Sequence, residues 1–251
     1  MAELLTLRTS DGVSIAVRHD PGSSDLCFVV AHGFTGSSVS PGLRNVRRVL
    51  NRSGGVLAVD LRGHGSSGGK STLGDLEVHD LAAAVQSARA LGYRKVATVG
   101  FSMGASVVVR QAGGPDPDVD AVVSVSGPAF WYYRGTPPMR WVHRTIGSRL
   151  GRGLARVGRG TRIAAAGWDP EPEPPQVRAP SIAPAPFLIV HGDADGYFPL
   201  EHPHRLFAAA AGPPDARAEL WVEAGFGHAE SAITEELLAR IAVWVQTAVV
   251  E

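Results

Sequence analysis

The chain has one cysteine among its 251 residues, so no disulfide can form within it. Cys27 stands in the apolar run Leu26-Cys27-Phe28-Val29-Val30 and reads as a small buried residue, not a reactive thiol. An excess of charge of either sign is also lacking. Lys+Arg and Asp+Glu number 24 each, which argues against a nucleic-acid partner recognised by a global field. No uninterrupted apolar run approaches the roughly 18 residues of a membrane span. Met1-Ala2-Glu3-Leu4-Leu5 has no basic stretch leading into an apolar core, so a cytoplasmic location is expected. No internal repeat is present. Glu201, His202 and His204 lack a further ligand at metal-binding spacing and read as the start of a helix after Pro199; no metal or cofactor is expected.

What the chain does have is a series of short, nearly continuous apolar runs: Leu26 to Ala31, Val56 to Val59, Val96 to Gly100, Ala121 to Val125 and Phe187 to Val190. Strands buried on both faces read this way. Leu4 to Arg8 and Val13 to Arg18 alternate apolar with polar around Asp11-Gly12, as a hairpin does, and Ala218 to Val222 alternates too. Helical spacing recurs over Leu76 to Leu91 and from Ile233 to Val245. The expectation is an α/β fold with a mostly parallel, doubly covered sheet of about eight strands, an antiparallel N-terminal hairpin and a site beyond the carboxyl ends of the strands.

Between Pro128 and Pro186 the strand pattern stops. Residues 1–127 and 187–251 read as the core, and 128–186 as a helical lid with a proline-rich return. Trp141, Ile146, Leu150, Leu154 and Val157 recur at helix-like spacing, and few contacts would tie such a lid to the sheet. Eight arginines and no acidic residue lie between Pro128 and Trp168. They read either as a solvated face or as one that meets an anionic acyl donor or an anionic lipid surface. Phe130-Trp131-Tyr132-Tyr133 open the insertion, anchoring the lid or lining an apolar pocket; Phe130 and Trp131 are the candidate substrate contacts.

The chemistry concentrates at Gly100-Phe101-Ser102-Met103-Gly104, which joins a buried strand to a helix-compatible run. Such a turn strains the serine backbone, needs small residues two positions either side, and holds Oγ above the sheet where a helix N-terminus faces developing negative charge. A serine hydroxyl needs a base oriented by a carboxylate. His228, in a glycine-rich loop, suits the base. Asp193 and Asp195 compete as the acid, and spacing from the strand end favours Asp195, leaving Asp193 to cap its own turn. The backbone N–H groups of Phe34 and Met103 are candidate oxyanion donors. His32, before Gly33, suits a structural role.

Together the initial hairpin, His32-Gly33-Phe34, Asp60-Leu61-Arg62-Gly63-His64-Gly65-Ser66-Ser67, the Ser102 turn, the insertion, His191-Gly192-Asp193-Ala194-Asp195 with Phe198-Pro199, and Gly227-His228 resemble the α/β-hydrolase superfamily over nearly the whole chain. The resemblance implies Ser102, Asp195 and His228 as nucleophile, acid and base, Phe34 and Met103 as oxyanion amides, and a structural turn around His64. Relatives that dehalogenate carry an aspartate at the elbow, so Ser102 argues against that reaction. The leading expectation is cleavage of a carboxylic ester of a small or medium acyl substrate through an acyl-enzyme. A thioester, an amide or a carbon–carbon bond suits the same triad, and a small-ligand sensor with a vestigial triad is the non-enzymatic alternative.

Overall fold

The unbroken apolar runs form the middle of one sheet. The computed structural model describes residues 2–250. Its strands are β1 Glu3–Arg8, β2 Ser14–Asp20, β3 Leu26–Ala31, β4 Gly55–Val59, β5 Lys95–Phe101, β6 Ala121–Val125, β7 Phe187–Gly192 and β8 Ala218–Glu223, in the order β1-β2-β4-β3-β5-β6-β7-β8. β2 pairs antiparallel with β1 and β4, and every other pairing is parallel. β3 shows why these runs are apolar throughout. Cys27, Val29 and Ala31 enter one core cluster, while Leu26, Phe28 and Val30 enter the other.

The helices are α1 Pro41–Leu50, α2 Glu77–Ala90, α3 Met103–Ala112, α4 Pro137–Gly147, α5 Arg149–Arg159, α6 Pro175–Arg178, α7 Glu201–Ala210, α8 Ala229–Ala232 and α9 Glu235–Ala248. α1 and α9 cover one face of the sheet with Leu43, Val46, Leu50, Leu238, Ile241 and Val245. α2, α3 and α7 cover the other with Leu81, Val85, Val107 and Leu206. Arg62 ties the hairpin to α2: its guanidinium donates to Asp11 Oδ2 at 2.6 Å and to Asp80 Oδ1 at 2.8 Å.

Between β6 and β7 the chain runs outside the sheet. α4 buries no residue and α5 buries only Ala155, so the apolar positions at helical spacing do not turn into the core. The return arm is nonetheless tied down more firmly than its composition suggests. Ser71 N–H donates to Arg162 O and Ala164 N–H to Ser71 O, Trp168 Nε1 donates to Thr72 O, and Trp131 Nε1 to Pro172 O. The proline-rich stretch also holds α6, which starts on Pro175, and a 3₁₀ turn, Ala179–Ile182, with Pro180 second; a proline's missing N–H costs nothing in a first helical turn. Among the described residues no helix is long and apolar enough to cross a membrane.

Candidate active site

Ser102 sits between the end of β5 and the start of α3 with φ 51° and ψ −112°, a conformation that L-residues rarely adopt. The turn is over-determined by its neighbours. Ser102 N–H donates to Val125 O at 3.0 Å, and its carbonyl accepts from the Ala105 and Ser106 amides. A methyl group on Gly100 would lie 2.2 Å from Gly104 O, and one on Gly104 would lie 2.3 Å from Ala31 O, so close backbone approach demands both glycines.

The loop after β8 carries His228 to this serine. His228 Nε2 lies 2.9 Å from Ser102 Oγ, and Nδ1 lies 2.8 Å from Asp195 Oδ2. A carboxylate only accepts, so Nδ1 carries the proton and Nε2 is left to accept from the serine hydroxyl. Asp195 Oδ1 accepts from the Tyr197 and Phe198 amides at 2.7 and 3.1 Å. Burial pushes this fully buried carboxyl up, but the hydrogen bond and charge of His228 and the two amides outweigh it, and the net shift is downward. Asp193, the competing acid, accepts from Gly225 N–H at 2.7 Å and braces the histidine loop instead.

The turn after β3 has the opposite problem, spare donors. Gly33 N–H donates to Glu230 Oε1 at 2.9 Å, Thr35 N–H to His64 Nε2 at 3.3 Å and Gly36 N–H to Gly33 O at 2.9 Å. Phe34 N–H, between them, has no hydrogen-bond partner among the described residues, and neither has Met103 N–H at the N-terminus of α3. Both residues line the same cleft as Ser102. His32 is buried, donating Nδ1–H to Gly33 O and accepting Leu61 N–H at Nε2. Burial and the neighbouring His64 hold its pKa down at about 3, so it serves the turn as a neutral brace. His64 is buried and bonded to Arg62 O as well as to Thr35.

A cleft of about 1280 Å³ opens over Ser102. Phe34, Trp131, Met139, Ile146, Leu154 and Trp168 are among its walls. Phe130 and Trp131 are in the lining and also anchor the insertion: Phe130 stacks on His202 at 4.3 Å and Trp131 packs on Trp168 at 5.0 Å. His202 is buried there, whereas His204 is exposed, so the pair does not converge. Burial holds His202 down at about 4, and pushes the Cys27 thiol up to about 12.

Three residues of the site escaped the sequence reading. Glu230 reaches from α8 into the turn after β3, and burial pushes its carboxyl up against the pull of the Gly33 amide. A methyl group on Gly33 would sit 3.2 Å from both Glu230 oxygens and 3.3 Å from Ser102 Cβ, which places this carboxylate beside the serine. Ser126 Oγ accepts from Ala229 N–H at 3.0 Å, and both residues have positive φ. Tyr197 stacks on the His228 ring at 4.2 Å. Local sequence signals none of these contacts; each is made across the ends of different strands.

No curated protein matches the chain. The family model described as alpha/beta hydrolase fold matches residues 27–141, from β3 into α4. Among solved structures, the Pyrococcus furiosus esterase Pf2001 superposes with a TM-score of 0.76 at 23% identity over 98% of this chain and 92% of that one. The α/β hydrolase GrgF from Penicillium sp. sh18 gives 0.77 at 18% identity over 100% of both chains. Est1E from Butyrivibrio proteoclasticus, solved with ferulic acid, gives 0.65 at 20% identity over 98% and 99%. Likeness at these identities is likeness of fold.

Proposed function

We propose that this chain, which has the α/β-hydrolase fold, is a serine hydrolase acting on carboxylic esters with an apolar acyl group. The observation that carries the proposal is the continuous relay from Ser102 Oγ through His228 to the buried Asp195, at 2.9 and 2.8 Å, with the amides of Phe34 and Met103, unpaired among the described residues, in the same cleft. His228 Nε2 takes the hydroxyl proton as Oγ attacks the acyl carbon. Asp195 holds the imidazole in the tautomer that accepts this proton and stabilises the imidazolium. The carbonyl oxygen, now negative, is held by the two amides; losing one such donor costs about 3 kcal/mol of transition-state stabilisation. His228 returns the proton to the leaving alkoxide, and water repeats the cycle on the acyl-enzyme.

Glu230 belongs to this machinery as a positioning residue. It fixes Gly33, the residue before Phe34, from a segment that starts directly after His228, so one short stretch of chain locates both the base and an oxyanion donor. The 128–186 segment acts as a lid, with Phe130 and Trp131 lining its inner side toward the substrate.

The test is turnover of a chain-length series of p-nitrophenyl esters beside the matching acyl thioesters, each run with Ser102→Ala. Oxygen esters are expected to turn over and the variant to be inactive. Turnover that survives in Ser102→Ala would refute the proposal, and a strong preference for thioesters would move the bond cleaved without moving the relay.

A further inference from the structure

The arginines between Pro128 and Trp168 have no acidic answer. Elsewhere arginines meet carboxylates: Arg47 with Asp20, Arg62 with Asp11 and Asp80, Arg89 with Asp120, Arg178 with Glu173, Arg240 with Glu223. Of the eight between Pro128 and Trp168, Arg140, Arg152 and Arg162 donate to backbone carbonyls. The guanidinium groups of Arg134, Arg144, Arg149, Arg156 and Arg159 have no hydrogen-bond or ion-pair partner among the described residues.

The same helices invert the usual burial of apolar side chains. A surface helix normally turns its apolar stripe to the core. On α5, Leu150, Leu154 and Val157 fall at positions i, i+4 and i+7, one stripe, yet they are 76%, 65% and 88% exposed. Trp141 on the neighbouring α4 is 66% exposed. Arg149, Arg152, Arg156 and Arg159 form a second stripe on α5 at i, i+3, i+7 and i+10. Leu150 and Val157 lie beside Arg149 and Arg156 on the side of α5 turned away from the cleft, so large apolar side chains and unanswered guanidinium groups share one outward surface, with Leu154 and Arg159 at its rim in the cleft lining.

We propose that the outer face of α4 and α5 docks on anionic lipid bilayers, with Leu150, Leu154, Val157 and Trp141 entering the acyl-chain boundary and Arg144, Arg149, Arg156 and Arg159 meeting the anionic headgroups. Charge decides between this occupant and a second copy of the chain. Two copies meeting on this face would bring arginines against arginines with no carboxylate in either patch, which is repulsive, whereas an anionic surface answers every one of them. Trp141 and Leu154 also line the cleft. Docking thus sets the cleft mouth against the lipid, and, on the hydrolase reading above, lets esters with long apolar chains enter from the bilayer.

The experiment is co-sedimentation of the full chain with vesicles of phosphatidylcholine alone and of phosphatidylcholine mixed with phosphatidylglycerol. Binding is expected only to the anionic vesicles and is expected to weaken steeply at high salt. Each juxtamembrane arginine contributes a factor of about five in affinity, so Arg144→Gln with Arg149→Gln and Arg156→Gln is expected to bind on the order of 100-fold more weakly. Leu150→Ser with Val157→Ser is expected to abolish sedimentation. None of these five residues lines the cleft, so hydrolysis of a short soluble ester and the thermal melt should stay unchanged. Equal binding to both vesicle types, no binding, or binding untouched by these variants overturns the proposal. So does a concentration-dependent dimer that Leu150→Ser with Val157→Ser dissolves, because the face would then belong to a second copy. Ser102→Ala must bind vesicles like the native chain. A chain that binds vesicles but turns over no ester refutes the hydrolase reading and leaves the docking surface standing.

Discussion

Replacing Asp195 by Asn separates orientation of the base from its presence, and the surroundings of this carboxylate fix which way the amide must lie. Asp195 Oδ1 accepts two backbone N–H groups, from Tyr197 and Phe198, while Oδ2 accepts only from His228 Nδ1. If the NH2 group took the Oδ1 position, two donors would face a donor in a fully buried site, at about 1–3 kcal/mol each. The carbonyl therefore keeps the Oδ1 position and the NH2 group faces His228. As a donor there, it requires an unprotonated Nδ1, which moves the ring proton to Nε2, toward Ser102 Oγ. The histidine remains in place but in the tautomer that cannot accept the serine proton. The expected loss in kcat is about 10⁴-fold, the size of effect a wrong tautomer produces in a serine triad, or about 5.4 kcal/mol. It should appear in steady-state hydrolysis of p-nitrophenyl butyrate with little change in KM and with a thermal melt within a few degrees of the native chain. A loss below about tenfold, in a variant shown to be folded, would refute the tautomer argument.

Other expected outcomes follow from groups around the same site and beneath it. Glu230→Ala should lower kcat by roughly 10- to 100-fold, the worth of a hydrogen bond to a charged group, with Glu230→Gln restoring most of it because the amide oxygen can still accept from Gly33; equal losses in both variants would remove the positioning role. Arg62→Met should destabilise by about 3–5 kcal/mol in urea unfolding, because it strands the fully buried Asp80, a carboxyl that burial already pushes up to about 6 against the pull of Arg62; Arg94→Ala, which breaks an exposed pair with Asp25, should cost under about 1 kcal/mol. The hydrogen bonds and charge of Arg62 hold Asp11 at about 2, below its ordinary 3.8. A depressed carboxyl stabilises the fold above its unfolded value, so this contribution is full above about pH 5 and is lost as the pH falls toward 2; Asp11→Asn should flatten that limb of the stability curve, and an unchanged limb would contradict the assignment.

The sheet was legible because its inner strands are buried on both faces, which leaves runs such as Leu26–Ala31 with no polar position, and because the strained serine turn demands glycines at two fixed offsets. His228 and Asp195 were legible through chain order and their place after strands. Asp193 and Asp195 looked nearly alike in sequence; what separates them is the direction of each carboxylate, one to Gly225 and one to His228. Glu230 was not legible, since Ala229-Glu230-Ser231 reads as an acidic first helical turn and its partner Gly33 is 197 positions away. The helical period of Leu150, Leu154 and Val157 was legible too, but period alone does not say whether a stripe faces inward, and here it faces out.

That His228 and Asp195 make Ser102 a nucleophile can be read from intact-protein mass spectrometry after treatment with a fluorophosphonate. One adduct per chain is expected, located at Ser102 by peptide mapping, absent in Ser102→Ala and greatly slowed in His228→Ala. Labelling that falls on another residue, or that proceeds at the native rate without His228, would exclude this role for the three residues.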